Sequence, residues 1–267
     1  MSEQRDKNLW IFNAGNSFAG NPKWMFEYII RHHKEIKPVW MCYNADTMNY
    51  VHKLGYEAEL YHSSKGKSVM AKAGVYVVEM CKEVFQPELS GITVLNLWHG
   101  VGCKSIERKV TDGFLQERIA KKYIQNNDIL RNNQLFLVTS EIMEKHFKEQ
   151  CGIDDDKVIR AGYPRCVVND NIQSYDHDIR KKKGLSANTK LAIYCPTYRD
   201  NNGANFMKSA LPDMKRLAEV LHENNILLIL KMHPLVEKDT QYLAMKEVYR
   251  EHPNFYFWEN EDDVYEI

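Results

Sequence analysis

The feature that most constrains this chain is a sustained alternation of short apolar runs with segments of helical periodicity. The runs are Leu9 to Phe12, Pro38 to Cys42, Val75 to Val78, Ile92 to Trp98, Leu135 to Val138, Lys157 to Ala161, Leu191 to Tyr194, Ile226 to Lys231 and Phe255 to Phe257. Apolar runs of strand length, separated by helical patterns, read as strands buried between covering helices. That rhythm predicts an α/β protein built from parallel, Rossmann-like layers.

The helices between the runs carry their own signals. Pro22 is expected at the first position of a helix that places Trp24, Phe26, Ile29 and Ile30 on one face. Ser63 is expected to cap a helix that reaches Ala73 and is stopped by Gly74, and Ser140 to cap one running to about Gln150. Residues 207–224 and 240–250 read as helices, and 262–267 as the start of another. A first domain is expected over 1–166. A polar connection follows over 167–189, whose basic run Arg180-Lys181-Lys182-Lys183 reads as a solvated helix face. A second α/β domain is expected over 190–267. With about three strands it is small for a doubly wound domain, so it is expected to be incomplete.

Composition narrows the function. The chain has 267 residues, 44% hydrophobic and 27% charged, the profile of a soluble globular protein. Lys plus Arg and Asp plus Glu are 36 each. This balance gives no general attraction for nucleic acid or anionic lipid, so any anion site must be local. None of the six cysteines (Cys42, Cys81, Cys103, Cys151, Cys166 and Cys195) lies in a C-x-x-C pair, which argues against zinc-ribbon and thioredoxin readings. They read as free thiols of a reducing cytosol. The polar opening Met1 to Lys7 lacks the apolar stretch of a signal peptide, and no apolar run approaches the ~18 residues of a membrane span. The chain is expected to be cytoplasmic, with only peripheral membrane contact.

Four constellations fall just past predicted strands, where open α/β sheets bind ligands. In Trp98-His99-Gly100-Val101-Gly102-Cys103-Lys104, two glycines let backbone approach a substrate, and Lys104 adds positive charge. A histidine there titrates near neutrality and is able to take a proton from a hydroxyl. A lone histidine after a strand as often bonds only within its turn; its neighbours favour a functional reading. Gly162-Tyr163-Pro164-Arg165 is a tight turn from which Arg165 is expected to project toward a phosphate. Tyr194 to Asp200 offers Thr197 and Arg199. Lys231-Met232-His233-Pro234 offers an ammonium and an imidazole. Each of these last two divides evenly between turn chemistry and binding. The chain carries no P-loop, no complete G-x-G-x-x-G fingerprint and no H-E-x-x-H. His32-His33 reads as part of a helix.

Taken together, these motifs resemble the CDP-glycerol glycerophosphotransferase family of teichoic-acid and capsule polymer enzymes. The family's W-H-G-x-x-x-K is matched by Trp98, His99, Gly100 and Lys104; its G-Y-P-R by 162–165; its P-T-[WY]-R by 196–199; its K-x-H-P by 231–234. Gly20-Asn21 and the aromatic helix after them are also similar. The resemblance implies a GT-B architecture of two Rossmann-like domains. It implies His99 as general base for an acceptor hydroxyl, and His233 with Lys231 and Arg199 as neutralisers of the CDP-glycerol pyrophosphate. Trp98, Gly100, Lys104, Arg165 and Thr197 are implied substrate contacts. No cofactor is certain, and a divalent metal is left open. The implied partners are CDP-glycerol and a polymer or lipid-linked glycerol-phosphate acceptor at the inner membrane face, with no nucleic acid. Family members continue into a T-D-Y-S-S segment that this chain lacks, so its donor domain is expected to be truncated. A GT-B glycosyltransferase using a nucleotide sugar, and a non-catalytic remnant, are the alternatives.

Overall fold

The computed structural model describes residues 5–80, 86–102, 104–112, 116–125, 134–166, 179–196, 206–233, 236, 239–258 and 263–266. The chain divides into two compact units, Met1–Ile172 and Gln173–Ile267.

The first unit runs β1 (Asp6–Phe12), α1 (Gly20–His32), β2 (Lys37–Cys42), α2 (Ala45–Lys53), β3 (Ala58–Leu60), α3 (Ser64–Lys72), β4 (Ala73–Val78), β5 (Thr93–Asn96), α4 (Gln116–Gln125), β6 (Gln134–Val138), α5 (Glu141–Cys151) and β7 (Val158–Arg160). Its strands form one parallel sheet in the order β3-β2-β1-β4-β5-β6-β7. The apolar runs become central strands because both sheet faces are covered: Ile11, Phe12, Trp40, Val77 and Val94 are fully buried. On one side Phe12, Phe18, Phe26 and Trp40 interlock, with Phe18 edge-on to Trp40 at 4.6 Å and Phe26 edge-on to Trp40 at 5.7 Å between ring centroids. Arg5 fastens the sheet's lower edge, donating to the carbonyls of Met70 (2.9 Å), Ala73 (2.7 Å), Glu88 (2.7 Å) and Ser90 (2.6 Å).

Several local readings need correction. Helix α1 starts two residues before Pro22, which therefore occupies the third helical position. Proline is tolerated there because the first N–H groups of a helix have no internal partner. Helix α3 is capped by Ser63 as expected, but Gly74 does not stop it; the helix ends at Lys72 and Gly74 lies inside β4. Its role is steric: a Cβ there would stand 2.6 Å from the Asp6 carbonyl oxygen, so β1 approaches only a residue without one. Helix α2 and edge strand β3 gave little apolar pattern, since Val51 is the one α2 side chain that is buried; an Asn44 cap accepting from Thr47 N–H at 2.8 Å starts the helix instead. Strand β5 stops at Asn96 rather than running to Trp98.

The second unit contains α6 (Ile179–Lys182), β8 (Lys190–Tyr194), α7 (Phe206–Ala210), α8 (Met214–Glu223), β9 (Ile226–Leu230), α9 (Thr240–Tyr249) and β10 (Phe255–Phe257). Its strands form a parallel sheet in the order β10-β9-β8. The segment 207–224 is two helices, not one: the break holds Pro212, and Asp213 caps α8 by accepting from Arg216 N–H at 2.8 Å. Ile179 is buried with Leu227, Ile229 and Trp258, so part of the segment read as a connection packs into this unit's core. Near the end, 264–266 form a single 3-10 turn.

Gly74→Val is expected to destabilise the fold by about 1–3 kcal/mol, the usual cost of overpacking a close contact. The test is a urea unfolding curve. A lower midpoint with unchanged slope is the expected result.

Candidate functional site

Strand order reverses at β1, which pairs with β2 on one side and β4 on the other. In doubly wound sheets the ligand crevice lies beyond the carboxyl ends of the strands flanking such a reversal. Glu79 follows β4 directly, and the turn Leu97-Trp98-His99-Gly100 follows the next strand, β5.

That turn has unusual backbone. Trp98 has φ +54° and Gly100 φ +156°, both positive. The first is costly for a bulky side chain; the second favours glycine. Surrounding groups over-determine the shape. Leu97 N–H extends the ladder to the Val78 carbonyl at 2.7 Å. Trp98 N–H donates to Asn96 Oδ1 at 3.0 Å, and Asn96 Nδ2 donates to Gln134 Oε1 at 3.0 Å, all buried. The three carbonyls that follow each accept one side-chain donor: Trp98 O from Asn21 Nδ2, His99 O from Arg165 Nη2 and Gly100 O from the Tyr163 hydroxyl, each at 2.7 Å.

The His99 ring is set as firmly. It stacks on Trp98 with centroids 4.5 Å apart and planes 26° apart. Its Nδ1 lies 2.8 Å from the Glu79 carbonyl oxygen. A carbonyl only accepts, so Nδ1 carries the proton and Nε2 is the basic nitrogen of the neutral ring. The imidazole pKa is held below its ordinary 6.5. The main cause is loss of water around the ring, which outweighs the Glu79 hydrogen bond; Arg165 lowers it further, and Glu107 opposes that. The residue as a whole is nevertheless exposed.

Two expected substrate contacts are placed differently. Trp98 is only 6% exposed, and its ring packs on Phe136 and Phe147 at 5.6 and 5.3 Å. It is a platform for His99, not an open face. Arg165 does not project; its guanidinium lies 5.7 Å over the Tyr163 ring and turns back onto the His99 carbonyl. Lys104 is exposed. The contributions of Asn21, Glu79, Asn96 and Gln134 were not assigned from sequence. One signal was available: Asn96 interrupts an otherwise apolar run, and a polar residue in a buried strand needs a purpose.

In the second unit, Lys231-Met232-His233 follows β9. Lys231 N–H continues the ladder to the Tyr194 carbonyl at 3.0 Å, and Met232 is fully buried. Lys231 is partly buried and His233 exposed. The Lys231 charge reaches Cys195 after β8, where it partly offsets the upward push of burial on that thiol. Thr197 and Arg199 lie outside the described residues. Among the described residues no cluster of three His, Cys, Asp or Glu side chains is arranged for a metal ion. Cys42, Cys166 and Cys195 are free thiols, Cys151 is buried, and Cys81 and Cys103 lie outside the described residues.

A family model for CDP-Glycerol:Poly(glycerophosphate) glycerophosphotransferase matches residues 1–267. The chain belongs to that glycerophosphotransferase family. Its similarity to a teichoic acid poly(glycerol phosphate) polymerase of Bacillus subtilis (strain 168) is 25% identity over 242 residues, 84% of this chain and 31% of that protein. A protein of the same description from Bacillus spizizenii (strain ATCC 23059 / NRRL B-14472 / W23) is 22% identical over 262 residues, 91% of this chain and 64% of that one. The chain thus spans between about a third and two thirds of these relatives. The solved structure of the wall teichoic acid polymerase TagF shares the fold, with TM-score 0.75 and 18% identity over 100% of this chain and 65% of that chain. The α/β, GT-B-type expectation therefore holds.

In a proton NMR titration of this family member, His99 is expected to titrate below 6.5. Arg165→Gln removes a charge that disfavours imidazolium, so it is expected to move the midpoint upward. A midpoint at or above the ordinary value in the unaltered chain would contradict the electrostatics described.

Proposed function

We propose that this chain transfers glycerol phosphate from CDP-glycerol to a terminal hydroxyl of a teichoic-acid or capsule polymer, releasing CMP. Family membership supports the reaction class, and the orientation of His99 supports the mechanism. With Nδ1 held by the Glu79 carbonyl, Nε2 is the nitrogen available to a substrate. On this reading the acceptor O–H proton passes to His99 Nε2 as the oxygen forms a bond to the phosphorus that bears glycerol. The bond between that phosphorus and the bridging oxygen breaks, and its electron pair leaves with CMP. A depressed imidazole pKa keeps the base unprotonated at neutral pH.

Charge builds on the departing phosphate, and phosphoryl transfer depends chiefly on neutralising such charge. Lys231 and His233, both following β9, are assigned that work, with Thr197 and Arg199 as donors from the neighbouring segment. Lys104 and the Gly100 backbone are assigned to the acceptor side. Trp98 and Arg165 are assigned to His99 instead, since both pack against it or its carbonyl.

The acceptor is a growing glycerol-phosphate chain, free or lipid-linked, and the enzyme works from the cytoplasmic face of the membrane as a peripheral protein. Among the described residues no helix is long and apolar enough to cross a membrane.

The experiment is CMP release from CDP-glycerol, with and without a glycerol-phosphate acceptor. Release is expected to depend on acceptor and to fall by roughly 10²- to 10⁴-fold in His99→Ala, the range of general-base contributions. Release from a nucleotide sugar but not from CDP-glycerol would replace the proposed donor. Full activity in His99→Ala would remove His99 from the mechanism.

A further inference from the structure

The side chains that hold the His99 turn come from far away in sequence. Asn21 is 77 residues from Trp98, Arg165 is 66 from His99 and Tyr163 is 63 from Gly100. Asn21 also ties two of these donors together, because its Oδ1 accepts from Arg165 N–H at 3.3 Å while its Nδ2 reaches Trp98 O. Asn21 is fully buried, so its amide has no water to turn to.

The geometry has a specific effect. The Trp98 carbonyl belongs to the peptide plane before the His99 Cα, and the His99 carbonyl to the plane after it. Pinning both planes sets the two soft backbone dihedrals of His99. The Gly100 carbonyl fixes the next plane. The Glu79 carbonyl and the Trp98 ring then set the imidazole itself. Satisfying lone carbonyls does not explain the arrangement, since the Arg165 bond to His99 O is exposed and water would serve as well.

We propose that Asn21, Tyr163 and Arg165 are positioning residues that aim His99 by clamping the carbonyls of Trp98, His99 and Gly100. The G-Y-P-R turn then serves the reaction through the base rather than by touching substrate. This rests on the reading of His99 as the general base. A base displaced by a fraction of an ångström retains substrate binding and loses rate.

The test uses the full chain with Tyr163→Phe, which deletes the part-buried hydroxyl that donates to the Gly100 carbonyl and leaves the ring. Steady-state kinetics with CDP-glycerol are combined with long-range proton–nitrogen NMR of the His99 ring, which reports the tautomer. The expected result is a fall in kcat of roughly tenfold with KM within about twofold, and a loss of Nδ1-protonated tautomer. An unchanged kcat, a matching rise in KM, or an unchanged tautomer signal overturns the proposal. Should Tyr163→Phe fail to fold, Arg165→Met removes the donor to His99 O at an exposed position and is judged by the same tautomer signal. If the unaltered chain releases no CMP, the transferase reading falls, while the tautomer signal still decides the clamp.

Discussion

The pairing of β1 with β4 on one side and β2 on the other is the contact on which the rest of the first unit depends. It sets β1 inside the sheet, third in the strand order, and places there the point where successive connections diverge. The contact is close enough that Gly74 must have no side chain opposite Asp6. Once β1 and β4 are joined, α1 begins beside the end of β4: a Cβ at Gly20, which has φ +71°, would collide with the Glu79 carboxylate. The helix start, the Glu79 carbonyl and the turn after β5 are thereby gathered at one edge. His99 and the groups that contact its turn inherit their positions from that pairing.

The site follows a consistent division. Strands and helices supply rigid edges, and the unusual backbone is confined to the turn that carries His99. A left-handed tryptophan is stable only if its surroundings compensate. Here the compensation is a buried amide network from Asn96 to Gln134 beneath the turn and three donors around it. Burying Asn21, Asn96 and Gln134 without partners would be expensive; paired as they are, they specify one arrangement. The same crowding lowers the His99 pKa, so the packing that orients the ring also disfavours its protonated form.

Much of this was legible in the sequence, and the parts that were not share a cause. The strands were visible as apolar runs because parallel strands are buried on both faces. Ser63 and Ser140 were legible as caps because a cap is a contact within three residues. Helix α2 was missed because it buries little, and Gly74 was misassigned because helix ending and strand packing both favour glycine. His99 was singled out by the two glycines and Lys104 around it after a strand. Arg165 was assigned outward because a turn says nothing of what stands opposite.

By itself, the sequence determined the α/β class, the described strands other than β3, the placement of polar motifs at their carboxyl ends and, through the order of those motifs, the family. These are local properties: periodicity, capping and spacing act over a few residues and can be read from them. Only the tertiary structure decided which ring nitrogen of His99 meets the Glu79 carbonyl, that Trp98 is a buried platform, and that Arg165 and Tyr163 turn inward onto the backbone of the His99 turn. Those outcomes depend on contacts between residues from 20 to 66 apart in the chain, and such partners become neighbours only when the sheet has folded.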